Sequence, residues 1–230
     1  MNRKEVDQFR ERLGKACGPN LKSLVLHGSA VSGNFSPHFS DINLLVVLES
    51  VGPKDLAAIE PTFRWWTSRG HKPPLVIGAK EIEATARCFP IEFNDLRRAR
   101  EVLHGSDPLA TLELDASYHR AQVEQDLRAK LLRLRQRAAC VGHDRELLMR
   151  LMADSVTAFF TLTRHAVAIS GAPMPTTRDE TVAAAAQHLD IDISVFQTVA
   201  GARDGLMRGK SVDSRALFAQ YLASVESLVG

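Results

Sequence analysis

The sequence predicts an α+β fold: a small β-sheet with flanking helices, followed by an all-α helical bundle. Three observations predict it. Short apolar runs rich in branched residues at 24–26, 42–48 and 75–77 lie in the first half and read as buried strands. The strand signal stops at residues 104–116, where Gly105 and Pro108 interrupt a stretch with no sustained periodicity. Beyond it, apolar residues recur at spacings of three and four over long windows, as packed helices require. The expected division is 1–110 for the sheet-bearing domain and 111–230 for the bundle.

Each element has its own justification. Residues 3–16 form an amphipathic helix through Val6, Phe9 and Leu13, stopped by Gly18-Pro19-Asn20. Residues 53–69 form a second helix, with Pro53 in its first turn, a stripe of Leu56, Ile59, Phe63 and Trp66, and Gly70 as its stop. Trp65 and Trp66 can be read as a base-stacking platform, but at helical spacing one of them is a core residue. Residues 80–87 read as a short helix. Residues 118–140 carry Val123, Leu127, Leu131 and Leu134 on one side. Residues 145–170 carry Leu148, Met152, Val156 and Thr163 inward, and Gly171 ends them. Thr177-x-x-Glu180 is a capping box for the next helix. Asp192 can cap a short helix to Arg203, and residues 213–228 make the last helix, burying Leu217, Tyr221 and Val225.

Composition excludes several classes. The chain has 230 residues and 45% hydrophobic residues, enough for a substantial core, and a net charge of +2 that does not by itself argue for nucleic acid or membrane. No apolar run approaches the ~20 residues a bilayer span needs, so no membrane association is expected. The opening stretch reads as a charged helix, not as a leader. Cys17, Cys88 and Cys140 are widely spaced, give no zinc framework and fit reduced thiols; a cytoplasmic location is expected.

The chemistry lies in residues 24–48, LVLHGSAVSGNFSPHFSDINLLVVL. Two strands flank a polar loop that carries Gly28-Ser29, Gly33 and Asp41-Ile42-Asn43. Strand alternation points Asp41 and Asn43 the same way, so a carboxylate and an amide stand side by side at a strand start. The Gly-Ser turn can lie beside them, and its backbone N–H groups can hold a phosphate. His27 and His38 lie close to phosphate reach, but neither is taken as a ligand. Residues 89–96, FPIEFNDL, read as a fourth strand. On it Glu92 shares a face with Asn94, and Ile91, Phe93 and Asp95 share the other. With Ile91 and Phe93 in the core, Glu92 faces Asp41, and Asp95 is a turn or cap former and the alternative acid.

On these residues the chain resembles the polymerase-β-type nucleotidyltransferase superfamily. The pattern there is a Gly-Ser turn, about a dozen residues, acid-x-acid on a strand, and a third acid on a later strand. Here eleven residues, 30–40, separate Gly28-Ser29 from Asp41-x-Asn43, and Glu92 is the later acid. A small mixed β-sheet domain with a helical partner resembles the minimal and kanamycin-type members. For residues 117–230 that likeness is one of architecture only.

The resemblance implies transfer of a nucleoside monophosphate from a nucleoside triphosphate to an acceptor hydroxyl on a small molecule, protein or RNA. It implies Mg²⁺ (or Mn²⁺) held by Asp41, Asn43 and Glu92, with Asp41 and Glu92 catalytic and Gly28, Ser29 and Asn43 binding nucleotide. Asn43 departs from the pattern, because an acid usually stands there. An amide oxygen still coordinates but carries no charge, which weakens a two-cation site by several kcal/mol where screening is poor. The competing reading is a catalytically degenerate fold serving as a nucleotide- or partner-binding module, as in toxin–antitoxin pairs. A third is an RNA-binding protein using the basic residues of 120–137, where Arg128 and Arg135 share a face. The last helix is apolar enough to pack within the bundle or to form a homodimer.

Overall fold

The computed structural model describes residues 3–31, 42–204 and 213–230. The chain divides into two compact units, Met1–Asp115 and Ala116–Gly230.

The first unit opens with α1 (Arg3–Cys17), β1 (Leu21–His27) and β2 (Asn43–Leu48). There follow α2 (Pro53–Thr67), β3 (Leu75–Gly78), α3 (Ile82–Cys88), α4 (Pro90–Arg98) and β4 (Arg100–Gly105). The sheet order is β3-β2-β1-β4. β1 runs antiparallel to both β2 and β4, and β2 runs parallel to β3, so the sheet is mixed. Both faces are covered. Leu24, Leu26, Leu44 and Val46 pack with Val6, Phe9 and Leu13 of α1 and with Ile59 and Trp66 of α2. Val25, Leu45 and Val47 pack with Ile82 and Ala86 of α3 and Phe93 and Leu96 of α4. Burial on both faces explains why β1 and β2 read as continuous apolar runs and not as alternating ones.

Three expectations need correction. Residues 89–96 are not a strand. Pro90 occupies the first turn of α4, where its missing N–H costs nothing, and Asn94 Nδ2 donates to Pro90 O at 2.8 Å. Ile91 and Phe93 satisfy strand alternation, whereas the buried Pro90, Phe93 and Leu96 recur at the helical spacing of three. Leu96, buried three residues after Phe93, completes the helical stripe, and the half-buried Asp95 breaks the alternation. Glu92 therefore stands on a helix, in its first turn and exposed. The fourth strand is Arg100–Gly105, which overlaps the expected boundary stretch. Leu56 is 47% exposed and not part of the α2 stripe. Trp66 is the core tryptophan that helical spacing implies: it is fully buried and its Nε1 donates to Lys72 O at 2.9 Å. Trp65 lies between the guanidinium groups of Arg12 and Arg69, 4.6 and 4.2 Å from its ring.

The second unit comprises α5 (Ala116–Val141), α6 (Arg145–Ile169), α7 (Arg178–Leu189), α8 (Ser194–Arg203) and α9 (Ser214–Val229). α6 is central and packs against the other four. Asp144 caps it, accepting from Glu146 N and Leu147 N. Phe159, Phe160, Phe196 and Tyr221 form an aromatic cluster with ring centroids 5.2–6.2 Å apart. Tyr221 Oη bonds Ser155 Oγ at 2.8 Å, and burial pushes the phenol well above its ordinary range. The expected capping box is present: Thr177 accepts from Glu180 N, and Glu180 accepts from Thr177 N. Among the described residues no helix is long and apolar enough to cross a membrane.

Candidate functional site

The end of β1 is where the site residues that the structure describes come together. His27 closes β1 and is paired on one side with Asn43, the first residue of β2, and on the other with Arg100, the first residue of β4. The backbone then turns sharply at Gly28, φ +79°, into a 3₁₀ turn over Gly28–Ala30. Gly28 N–H donates to Ala99 O at 2.9 Å, tying the turn to the end of α4. A Cβ on Gly28 would lie 3.2 Å from Asn43 Nδ2. Glycine serves two needs here, the positive φ and the close approach of the Asn43 amide. Because the Gly28 N–H is committed to Ala99 O, the Ser29 N–H is the donor left at the opening of the 3₁₀ turn.

Register fixes the face. Leu45 and Val47 pack on the sheet face covered by α3 and α4, and Asn43 is in phase with them. Val25 packs on the same face, and His27 is in phase with Val25. α4 covers that face and carries both Glu92 and Asp95. Ala99, at the end of α4, is bonded to Gly28, and Ala99 N–H donates back to Asp95 O at 3.2 Å. At 1.5 Å per residue, Asp95 lies about one helical turn from the Gly28 contact and Glu92 about two.

Electrostatics agrees with this placement. Burial pushes the His27 imidazole below its ordinary value, and the Asp95 carboxylate opposes that by favouring the cation. Asp95, the alternative acid in the sequence, is thus near enough to His27 at the end of β1 for its charge to be felt there. Helical periodicity from Pro90 to Leu96 is the signal that identifies its position. Arg100 is committed elsewhere. Its guanidinium grips Asp107 through Nε at 3.0 Å and Nη2 at 2.7 Å and also reaches Arg97 O. That grip holds the Asp107 carboxyl below the usual range. Arg3 likewise pairs with Glu101 of β4, Nη1 to Oε2 at 2.7 Å.

Asp41, His38 and the side chain of Ser29 lie outside what the structure describes. Asn43 at the head of β2 and Glu92 and Asp95 on α4 carry oxygen donors of the hard type that Mg²⁺ takes, but Glu92 is exposed and about two helical turns from the Gly28 contact. Among the described residues no group of three or more His, Cys, Asp or Glu side chains forms a metal site. The expected phosphate pair on α5 is partly committed: Arg135 Nη2 bonds Glu226 Oε1 at 2.7 Å.

No family model and no curated protein matches the sequence. Among solved structures, the chain is similar to the spectinomycin adenyltransferase AAD(9) from Enterococcus faecialis, solved with ATP and spectinomycin. The TM-score is 0.61 at 13% identity, over 98% of this chain and 100% of that one. The likeness spans both units, and the fold is nucleotidyltransferase-like, a small mixed sheet followed by helices.

Proposed function

We propose that the protein is a nucleotidyltransferase that moves a nucleoside monophosphate, with ATP the first candidate donor, onto a hydroxyl of a small-molecule acceptor. The observation that carries this reading is the closure of the Gly28 turn against Asn43 at one end of the sheet, in a nucleotidyltransferase-like fold. The similar adenyltransferase was solved with ATP and an acceptor, which supports both ligand classes here.

The backbone of the Gly28 turn receives the triphosphate tail through its N–H groups. Asp41, Asn43 and one acid of α4 would hold Mg²⁺, which would supply charge neutralisation for the phosphates. The α4 acid, with Asp95 favoured over Glu92 by its action at His27, accepts the proton of the acceptor hydroxyl. That oxygen forms a bond to the α-phosphorus, the bond to the bridging oxygen breaks, and pyrophosphate leaves. Asn43, neutral where an acid is usual, favours a second reading in which nucleotide is bound and turnover is slow or absent.

Thermal unfolding with each nucleoside triphosphate, with and without Mg²⁺, tests the binding step. A ligand at about 100 times its dissociation constant stabilises by about 2.7 kcal/mol. A Mg²⁺-dependent shift that Asp41→Ala removes is the expected result, and no shift with any nucleotide overturns the proposal. Pyrophosphate release with spectinomycin as probe acceptor then separates the two readings. If Asn43→Asp raises a negligible rate, the natural chain is the binding module.

A further inference from the structure

The seam between α5 and α6 is a groove that no helix of the described residues fills. Two adjoining hollows of about 360 and 400 Å³ run along it and share Arg137, Leu151 and Asp154. α5 lines it with Leu134 and Val141, and α6 with Leu147, Leu151, Ser155 and Ala158. On α6 these fall at i, i+4, i+8 and i+11, a single helical face. The small Ser155 and Ala158 allow a backbone to approach closely. Leu147 is 42% exposed within the groove. From Lys130 to Val141 the groove runs about 16 Å, three turns of helix. An apolar floor with this spacing on two neighbouring helices is the seat that a further helix takes in a bundle.

The rim gives the charge of the occupant. Lys130, Arg133 and Arg137 form one stripe along α5, and Arg150 stands opposite on α6. Asp154 is the one carboxylate among these lining residues. Among the described residues none of the four cations has an ion-pair partner, whereas Arg135, on the other side of α5, is paired with Glu226. A second copy docking through this groove would set the same cations against themselves. Single-stranded nucleic acid is served by exposed aromatic rings, and the one ring lining the groove, Phe159, is 1% exposed.

We propose that the α5–α6 seam is a docking site for an acidic amphipathic helix of a partner protein, its apolar face on Leu147 and Leu151 and its carboxylates on Lys130, Arg133, Arg137 and Arg150. This is the helix-in-groove mode of recognition. It does not depend on nucleotidyl transfer.

The test uses the full chain and a labelled synthetic helix of about five turns, with leucine at i, i+3, i+4 and i+7 and glutamate elsewhere. A peptide with lysine for glutamate is the control, and binding is read by fluorescence anisotropy. The acidic peptide is expected to bind at least about tenfold tighter than the basic one, with affinity that falls as salt rises. It is also expected to slow thiol labelling of Cys140, which lines the groove and is exposed. Arg133→Glu with Arg137→Glu, both exposed, and separately Leu147→Asp, are each expected to weaken binding about tenfold with unchanged circular dichroism. Equal binding of the two peptides, no binding of the acidic one, or affinity unmoved by these variants overturns the proposal. So does a duplex RNA that binds more tightly than the acidic peptide and is lost in the same double variant.

Discussion

Gly28 and Gly105 stand at opposite ends of the β1–β4 ladder, and they are glycines for different reasons. Both have positive φ, +79° and +74°. At Gly105 an added Cβ would fall 1.8 Å from Lys22 O, inside the backbone of the paired strand. At Gly28 it would meet the Asn43 amide at 3.2 Å, a side-chain atom that can move. One end of the ladder is closed by backbone against backbone. The other is kept narrow by a side chain that the proposed chemistry needs in place. Stability and function therefore separate along a single strand.

Substitutions can break that contrast, and the largest effect falls at Gly105. Gly105→Ala is expected to destabilise by about 4 kcal/mol or more, read by denaturant unfolding, because neither the φ nor the Lys22 carbonyl can yield. Gly28→Ala is expected to cost only about 1–2 kcal/mol in the same measurement, yet to abolish the Mg²⁺- and nucleotide-dependent thermal shift. Similar loss of stability in both variants would erase the distinction. Asp95→Asn is expected to weaken nucleotide-dependent turnover about a hundredfold and Glu92→Gln less than tenfold, checked by pyrophosphate release. The reverse order would return the role to Glu92.

The smallest expected effect is a pH dependence at His27. Its imidazole is held below the ordinary value near 6.5, so the unfolded chain takes up the proton first as pH falls. The stability it contributes is full above about pH 6.5 and is lost as pH drops toward the lowered value. His27→Gln should flatten this part of the stability curve, measured as unfolding midpoint against pH.

Much of this was legible from the residues. The buried strands before and after Gly28 follow from branched apolar runs, and the cap at Thr177 from a short local pattern. The α4 helix was hidden because Ile91 and Phe93 fit strand alternation, and only Pro90 and Leu96, each three residues from Phe93, carry the helical period. With α4 read as a strand, Glu92 looked like the acid facing Asp41, and Asp95 looked like a turn former. β4 was hidden for another reason. Arg100, Glu101 and His104 give an edge strand no apolar alternation, and its pairing with β1 joins residues far apart in the chain, Arg100 with His27 and Gly105 with Ser23. The Gly28 turn could be read as a phosphate cradle, whereas its bond to Ala99 required the folded chain.

The tryptophans and tyrosines divide cleanly between the two units. Both tryptophans, Trp65 and Trp66, belong to Met1–Asp115, and both tyrosines, Tyr118 and Tyr221, to Ala116–Gly230. Emission excited at the red edge of the indole band therefore reports on the sheet-bearing unit alone. Trp66 is sealed from water and stacked 4.0 Å from the His71 ring, and Trp65 is sandwiched between two guanidinium groups. Unfolding of the first unit should thus appear as a red shift, free of any signal from the bundle. Following it beside far-ultraviolet ellipticity shows whether the two halves melt as one cooperative body or in sequence, without any label.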